Sequence, residues 1–595
     1  MEIPKRIFGA TVKLSGAAAV GLLECAISEG VTMAADGGGD IGTERLFGRE
    51  PQISTSKDLS FLTGIAANGL RAGALLEWEQ LTGSFPAMRE MARQHLPVVL
   101  FTGGTPANGH AGFHALAGTG CFQMMAGSVQ QAVDFVLIAH RVAELSLIPG
   151  MVALDTPAAQ TVTFPAAADV VRFLGGPDDH IPVPTPAQQI IFGETRRRLP
   201  NFYSFDFANL LGAEKDAPAR ELEAAAQQPY FYQHLDGIFK QVFDEFETLT
   251  GRRYGSVLHQ KAEKADYLLL TAGSAYPTVE EAAQKVGGKR KNSAGCAQVT
   301  TLSPFPGEEL AKLVQGKKVV TVLENPGGLL AGESPLFAKV SAAAGLPGKK
   351  APTFFRGFYG HEVSAEEAVR VFENMAAGST AKPVFFIGVE FTRATSNYPQ
   401  HEILLQTIQR EYPGIGDTTL ATGAAAEHST GSKKARQAGL PLVVRKHKNK
   451  GPAYTRLSRF YHDTVWFYQN DELPELVASP FQALPAMPAA TASLSNVAAS
   501  RPALPVFKSG ACTGCGACFV ECPHAAIPPI AIGMEAFLRG GMDIAAQRGL
   551  SVAQLTPLVK NLAKVGGQVI RKAEQPVTAV ADFLPAAFEK LAKQL

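Results

Sequence analysis

"SVQQAVDFVLIAHRVAELSLIPGMVALD" (residues 128–155) decides the fold class. Across 128–146, Val129, Val133, Val136, Leu137 and Val142 recur at helical spacing and share one broad apolar face. Ser128 stands where a side chain would cap the first turn. Residues 149–155, "PGMVALD", then read as a strand. Upstream, "LPVVLFTGG" (96–104) is a buried strand running into a glycine-rich turn. Strand, helix and strand in this order predict a parallel sheet covered by helices. His140, Arg141 and Glu144 interrupt the apolar run 135–154, so it does not read as a membrane span, which needs about 20 mostly apolar residues.

Working outward, residues 156–265 are less regular and read as a connector packed on the first domain. They include the aromatic-rich helix "YFYQHLDGIFKQVFDEFETLTG" (230–251). A second α/β unit starts at "ADYLLLTAGSAYPTVEEAAQKV" (265–286) as strand, Gly-Ser turn and helix. It continues with "VTTLSPFP" (299–306), the helix "GEELAKLVQG" (307–316), the strand "KKVVTVLENPGG" (317–328) and the candidate strand "KPVFFIGVEF" (382–391). Residues 433–451 are locally basic without interleaved aromatics, which favours a solvated loop over a nucleic-acid surface. Residues 473–505 are rich in Pro, Ala and Ser and read as a semi-extended linker.

The bulk composition agrees. A chain of 595 residues accommodates about three to five domains, and 46% hydrophobic against 18% charged residues can bury several cores. A net charge of +1 gives no global case for binding nucleic acid or an anionic membrane. The amino terminus lacks a clear cleavage site and carries Glu24 in its apolar run, so it does not read as a signal peptide. Cys25, Cys121 and Cys296 form no disulfide framework, read as buried small hydrophobes and point to a reducing cytoplasm.

The other four of the seven cysteines fall in "ACTGCGACFVECPHAAI" (511–527). Cys512, Cys515, Cys518 and Cys522 spell C-x2-C-x2-C-x3-C, with Pro523 next. This is the bacterial ferredoxin spacing for a [4Fe-4S] cluster; structural zinc more often uses two separated C-x2-C pairs. In two-cluster ferredoxins the fourth cysteine of such a run ligates the other cluster, and this chain has no second run. Either the four thiols close one site, or Cys522 serves a cluster completed by another chain.

Several stretches together resemble the pyruvate:ferredoxin oxidoreductase family of 2-oxoacid oxidoreductases. "CPHAAI" (522–527) resembles its first cluster motif, and residues 119–155 resemble the end of its pyrimidine-binding domain. Residues 230–275, "LSPFPGEEL" (302–310) and "FRGFYGHEVSAEEAVRVFENM" (355–375) resemble its connector and transketolase-C-terminal-like domain. The resemblance implies a multidomain α/β chain. Its expected divisions are a thiamine-diphosphate-binding-like parallel-sheet domain with connector (1–230), a transketolase-C-terminal-like domain (231–380) and a small α/β or irregular domain (381–472). The linker (473–505), a ferredoxin-like [4Fe-4S] module (506–530) and a helical tail (531–595) follow. It implies a subunit of a thiamine-diphosphate-dependent 2-oxoacid:ferredoxin oxidoreductase, with Mg2+ beside the thiamine diphosphate and coenzyme A as candidate co-substrate. No pyrophosphate-binding domain is found. The resemblance therefore implies a partner subunit that carries one, a second cluster motif on that partner as a candidate, and ferredoxin or another acceptor.

Three positions depart from the family. Its pyrimidine-engaging glutamate falls near Thr55, with Asp58 the nearest acid; its substrate arginine, shortly before the pair matching Thr119-Gly120, falls near Ala117; and its Tyr-Pro-x-Thr-Pro loop is replaced at 35–40, "ADGGGD". These changes keep open a non-catalytic electron-transfer or scaffold subunit with a degenerate thiamine site. A ferredoxin fused to unrelated sugar- or nucleotide-binding domains is a third alternative. No catalytic residue is assigned. His110 and His114, four apart, are candidate ligands or bases, although packing histidines are the commoner case; Asp36 and Asp40 flank a turn of glycines that could line a pocket. "GGTPANGHAG" (103–112) lacks dinucleotide-fingerprint spacing.

Overall fold

The computed structural model describes residues 6–33, 44–48, 50–56, 58–106, 109–203, 211–212, 216–287, 293–325, 327, 334–345, 351–396, 398–420, 444, 451–484, 487–488, 491–494, 506–508, 511–521, 527, 532–547, 549–573, 577 and 580–594. They fall into two compact units, Met1–Leu494 and Ser495–Leu595.

The first unit opens with β1 (Thr11–Leu14), α1 (Gly16–Ile27), β2 (Gly30–Met33), β3 (Gln52–Ser54), α2 (Ser60–Ala67), β4 (Ala72–Leu76), α3 (Phe85–Arg93), β5 (Val98–Gly103), α4 (Ala111–Ala115), β6 (Phe122–Ala126), α5 (Val129–Ser146), β7 (Gly150–Leu154) and β8 (Gln160–Thr163). Next come α6 (Ala167–Leu174), β9 (His180–Pro182), α7 (Pro186–Phe192), β10 (Thr195–Arg197), α8 (Ala217–Tyr230) and α9 (Leu235–Thr250). Then follow β11 (Val257–Gln260), β12 (Tyr267–Thr271), α10 (Ala275–Gly287), β13 (Ala294–Val299), β14 (Thr301–Ser303), α11 (Gly307–Val314), β15 (Val319–Glu324), α12 (Pro335–Ala344), β16 (Thr353–Phe358), α13 (Ala365–Ala376), β17 (Val384–Ile387), α14 (Pro399–Glu411) and β18 (Thr419–Leu420).

Two seven-stranded sheets organise the unit. The first has the order β14-β6-β7-β5-β4-β2-β3 and is parallel except for β14. The second has the order β11-β13-β12-β15-β16-β17-β18 and is parallel except for β11. Both match the α/β expectation. One continuous apolar core runs from Leu100, Met151 and Ala153 of the first sheet to Leu268, Leu270 and Val320 of the second.

α5 forms where its spacing predicts, with the Ser128 hydroxyl accepting from the Gln131 amide. It is buried almost all round, between the first sheet, α1 and α9. Its acidic and imidazole groups are buried with partners. Asp134 takes the Arg252 guanidinium at 2.6 Å and the Tyr254 hydroxyl at 2.8 Å. His140 Nε2 lies 2.9 Å from Glu24 Oε1, and Ser28 Oγ donates to the other oxygen at 2.7 Å. A Cβ at Gly73 would meet that Glu24 carboxylate, so β4 needs a glycine there. Glu144 accepts from Arg71 Nε at 2.6 Å. Arg71, fully buried, also donates to the carbonyls of Ile27 at 3.1 Å and Gly175 at 2.9 Å.

Several boundaries lie elsewhere than the sequence suggests. Thr301–Ser303, expected in the second α/β unit, pairs antiparallel with β6 of the first sheet. The connector helix α9 buries Leu235, Ile238, Phe239, Val242, Phe243 and Phe246 in the first core, beyond the expected boundary at 230. β17 extends the second sheet beyond the boundary expected at 380. Within the presumed linker 473–505, Val477 packs with Leu405 and Ile408, and Leu494 with the Trp466 cluster. Pro-rich composition made that stretch look solvated, but its few large apolar residues recur where they can be buried.

In the second unit, helices Met534–Gln547, Val559–Lys572 and Val580–Gln594 close on a core that includes Leu538, Leu562, Val565 and Leu591. No helix among the described residues is long and apolar enough to cross a membrane.

Arg71→Ala would leave the Glu144 carboxylate buried without its closest counter-charge. Urea denaturation of the full chain should show a loss of about 3–5 kcal/mol; an unchanged midpoint would mean the pair carries no structural weight.

Candidate functional site

The cysteine stretch is built by its glycines. Gly514 (φ 71°) and Gly516 (φ 79°) take left-handed conformations that a side chain would resist. They turn the chain twice before the short helix Ala517–Val520. The Gly514 amide donates to Cys512 Sγ at 3.4 Å. At Cys515 the Ala517 amide, then the Thr513 side chain, hold the thiol below its usual range. Cys512 is half-buried, Cys515 and Cys518 are exposed, and all three are free thiols. Amides aimed at sulfur favour thiolates and soften the negative charge of an iron–sulfur centre. The donor set fits a [4Fe-4S] cluster, and Cys512, Cys515 and Cys518 would hold it. Cys522 lies outside the described residues. Among the described residues, no three His, Cys, Asp or Glu side chains are set to hold a single metal ion.

The second locus is a polar seam where the carboxyl edges of the two sheets meet. Asp155 follows β7. One of its oxygens lies 2.9 Å from His110 Nε2, and the other accepts the Ser274 amide at 2.7 Å. The His110 amide donates to the Asn325 carbonyl, just past β15, at 2.8 Å. Gly273 sits so close to Asp155 that a Cβ would strike its carboxylate. Trp78 stacks on the His110 ring at 6.0 Å, and Tyr359 meets it edge-on at 6.5 Å. Crevices outside the carboxyl ends of parallel strands are where α/β folds bind ligands; among the described residues His110, Asp155 and Tyr359 are buried at this one.

His110 is thus a packed, paired histidine. His114 lies on α4, and burial pushes its imidazole down to about 3, with His110 and Lys339 adding to the shift. The loop 35–40, with Asp36 and Asp40, lies outside the described residues. Composition alone did not single out Asp155, Glu324 and Tyr359. The signal available was position: each is a polar residue closing an apolar strand.

The two family positions Thr55 and Ala117 come out apart. Thr55 follows β3 and is exposed at the carboxyl edge of the first sheet. Ala117 precedes β6 and lines a cavity of about 540 Å³ that also includes Phe122, at the amino edge. Asp58 does not replace the missing acid. Its carboxylate accepts the Ser60 amide and the Ser60 hydroxyl, each at 2.9 Å, and these bonds hold it below the usual carboxylate range. A carboxylate committed to the start of α2 is not positioned to share a proton with an aminopyrimidine. Neither Thr55 nor Asp58 therefore supplies the acid that the family places there.

The family described as "Pyruvate:ferredoxin oxidoreductase core domain II" matches residues 265–368, and "4Fe-4S binding domain" matches residues 505–527. The chain is 29% identical over 289 residues to pyruvate synthase subunit PorA of Pyrococcus furiosus, which covers 46% of this chain and 66% of the relative. It is 24% identical over 346 residues to PorA of Thermotoga maritima, covering 55% of this chain and 82% of the relative. It is 25% identical over 367 residues to the pyruvate:ferredoxin oxidoreductase of Moorella thermoacetica, covering 58% of this chain and 30% of the relative. The chain thus spans just under two thirds of the first relative's length.

Glu324, at the end of β15, accepts the Leu336 amide at 3.0 Å, yet burial pushes its carboxyl up to about 7. The protonated form is therefore favoured in the folded chain. Its contribution is fully present below the ordinary pKa of about 4.5 and is lost as pH rises through 7. Glu324→Gln should match the parent chain at pH 5 and exceed it at pH 8 by on the order of 2 kcal/mol in urea denaturation. Equal stability at both values would contradict this assignment.

Proposed function

We propose, for a chain that belongs to the 2-oxoacid:ferredoxin oxidoreductase family, that it is the electron-relaying subunit of a complex that oxidatively decarboxylates a 2-oxoacid. The observation that carries this reading is the C-x2-C-x2-C-x3-C-P run, matched as a 4Fe-4S domain, on the same chain as α/β lobes similar to pyruvate synthase subunits. When bound, the cluster supplies one-electron transfer. Cys512, Cys515, Cys518 and Cys522 are its proposed ligands, and the Gly514 and Ala517 amides stabilise charge on the sulfurs. Exposure of Cys515 and Cys518 leaves that end of the module open to an electron acceptor such as ferredoxin.

In this reading the pyrophosphate-binding half of a thiamine diphosphate and Mg2+ site lies on a partner subunit, and coenzyme A is the candidate acyl acceptor. No thiamine step is assigned to this chain, because Thr55 and the committed Asp58 offer no suitable acid. That same observation favours a second reading, a scaffold and electron-transfer subunit whose thiamine-like edge only shapes an interface. Viologen reduction by the complex purified with its partners, on addition of a 2-oxoacid, separates the two: activity supports the first reading, and its absence with an intact cluster supports the second.

Purified or reconstituted without oxygen, the full chain should carry about four iron and four acid-labile sulfide with broad visible absorption. Cys515→Ser and Cys518→Ser should each cut iron content and absorption to below about half. Full iron content in both variants would overturn the cysteine assignment.

A further inference from the structure

The cavity at the amino edge of the first sheet has a chemistry of its own. It lies between α3 and α8, with the segment 117–122 as its third wall. Arg89 and Arg93 are four apart on α3. Arg220, Glu223, Gln227 and Gln228 share one face of α8. Three guanidiniums thus meet one lining carboxylate. Arg93 is engaged: it pairs with Glu90 at 2.6 Å and with Glu223 at 3.1 Å, and its carbonyl accepts from Gln227 at 3.3 Å. These bonds tie α8 to α3 and hold the cleft open. The Arg89 and Arg220 guanidiniums have no ion pair or hydrogen bond among the described residues.

Uncompensated like charges facing one another across a cleft repel, and an anion between them would reverse the sign of that interaction. Arg220 lies one turn into α8, whose start is capped by the Asp216 carboxylate accepting the Ala219 amide at 2.9 Å, so the positive charge facing the cleft is that of the guanidiniums and not of the helix end. Guanidinium forks match phosphate oxygens in pairs. About 540 Å³ is within the range of small-molecule sites. Ala117, a small side chain, lines the same wall and leaves the room unfilled.

We propose that the α3–α8 cleft binds a phosphate-bearing small molecule through Arg89, Arg93 and Arg220. The site lies at the opposite edge of the sheet from the His110–Asp155 seam and from Thr55, so its ligand is an effector rather than the reacting 2-oxoacid. The proposal stands whether or not the chain's complex decarboxylates.

Isothermal titration of the full chain at low salt, with inorganic pyrophosphate and separately with adenosine 5′-diphosphate, tests it. Pyrophosphate should bind with a Kd of about 1 mM or tighter. Arg89→Gln with Arg220→Gln should weaken it about tenfold or more. Both side chains are exposed, so the double variant should keep its fold. Arg253→Gln, at the far end of α9, should leave binding unchanged. Tighter binding of the nucleotide would identify a nucleotide site, and equal binding a phosphate site; both support the proposal. Absence of binding, or equal binding by the double variant, would overturn it.

Discussion

The first lobe depends on what surrounds Arg71. A guanidinium with no solvent exposure is tolerable only when its donors all find acceptors. Here they find Glu144 on α5, the end of α1 at Ile27 and the turn at Gly175 after α6. Arg196 of β10 adds its own bonds to the carbonyls of Glu144 and Leu145. Four elements are thereby fixed around one charge, and α5 is held with Glu144 facing into the core. The Asp134 and His140 pairs repeat the arrangement near the amino-terminal end and the middle of the helix. Position along the sheet follows from this anchoring, and with it the site where β7 delivers Asp155 to His110.

Much of the architecture was readable because parallel strands and their helices write strong local patterns. β5, α5, β7, β12, α10, α11 and β15 lie where spacing places them. What was unreadable depends on partners far along the chain. β14 has only three residues, and nothing local says that it crosses to the first sheet. The relation between His110 and Asp155 spans 45 positions. Val477 and Leu494 sit in linker-like composition, yet each packs into an apolar cluster that only the folded chain brings together.

Thr55 and Ala117 are joined only by what the family does with those positions; the sheet sets them at opposite edges. Asp58, the nearest acid, is held by Ser60 at the start of α2. The cysteine run was readable in full as spacing, and the backbone adds the reason: two left-handed glycines bring amides toward sulfur.

β14 carries a further consequence. By leaving the second lobe's territory to pair with β6, it covers a row of backbone donors and acceptors that would otherwise face solvent. The two lobes are interlaced, and neither can be cut out cleanly. A recombinant piece stopping before residue 301 would keep six strands of the first sheet but bare the flank of β6, inviting edge-to-edge self-association.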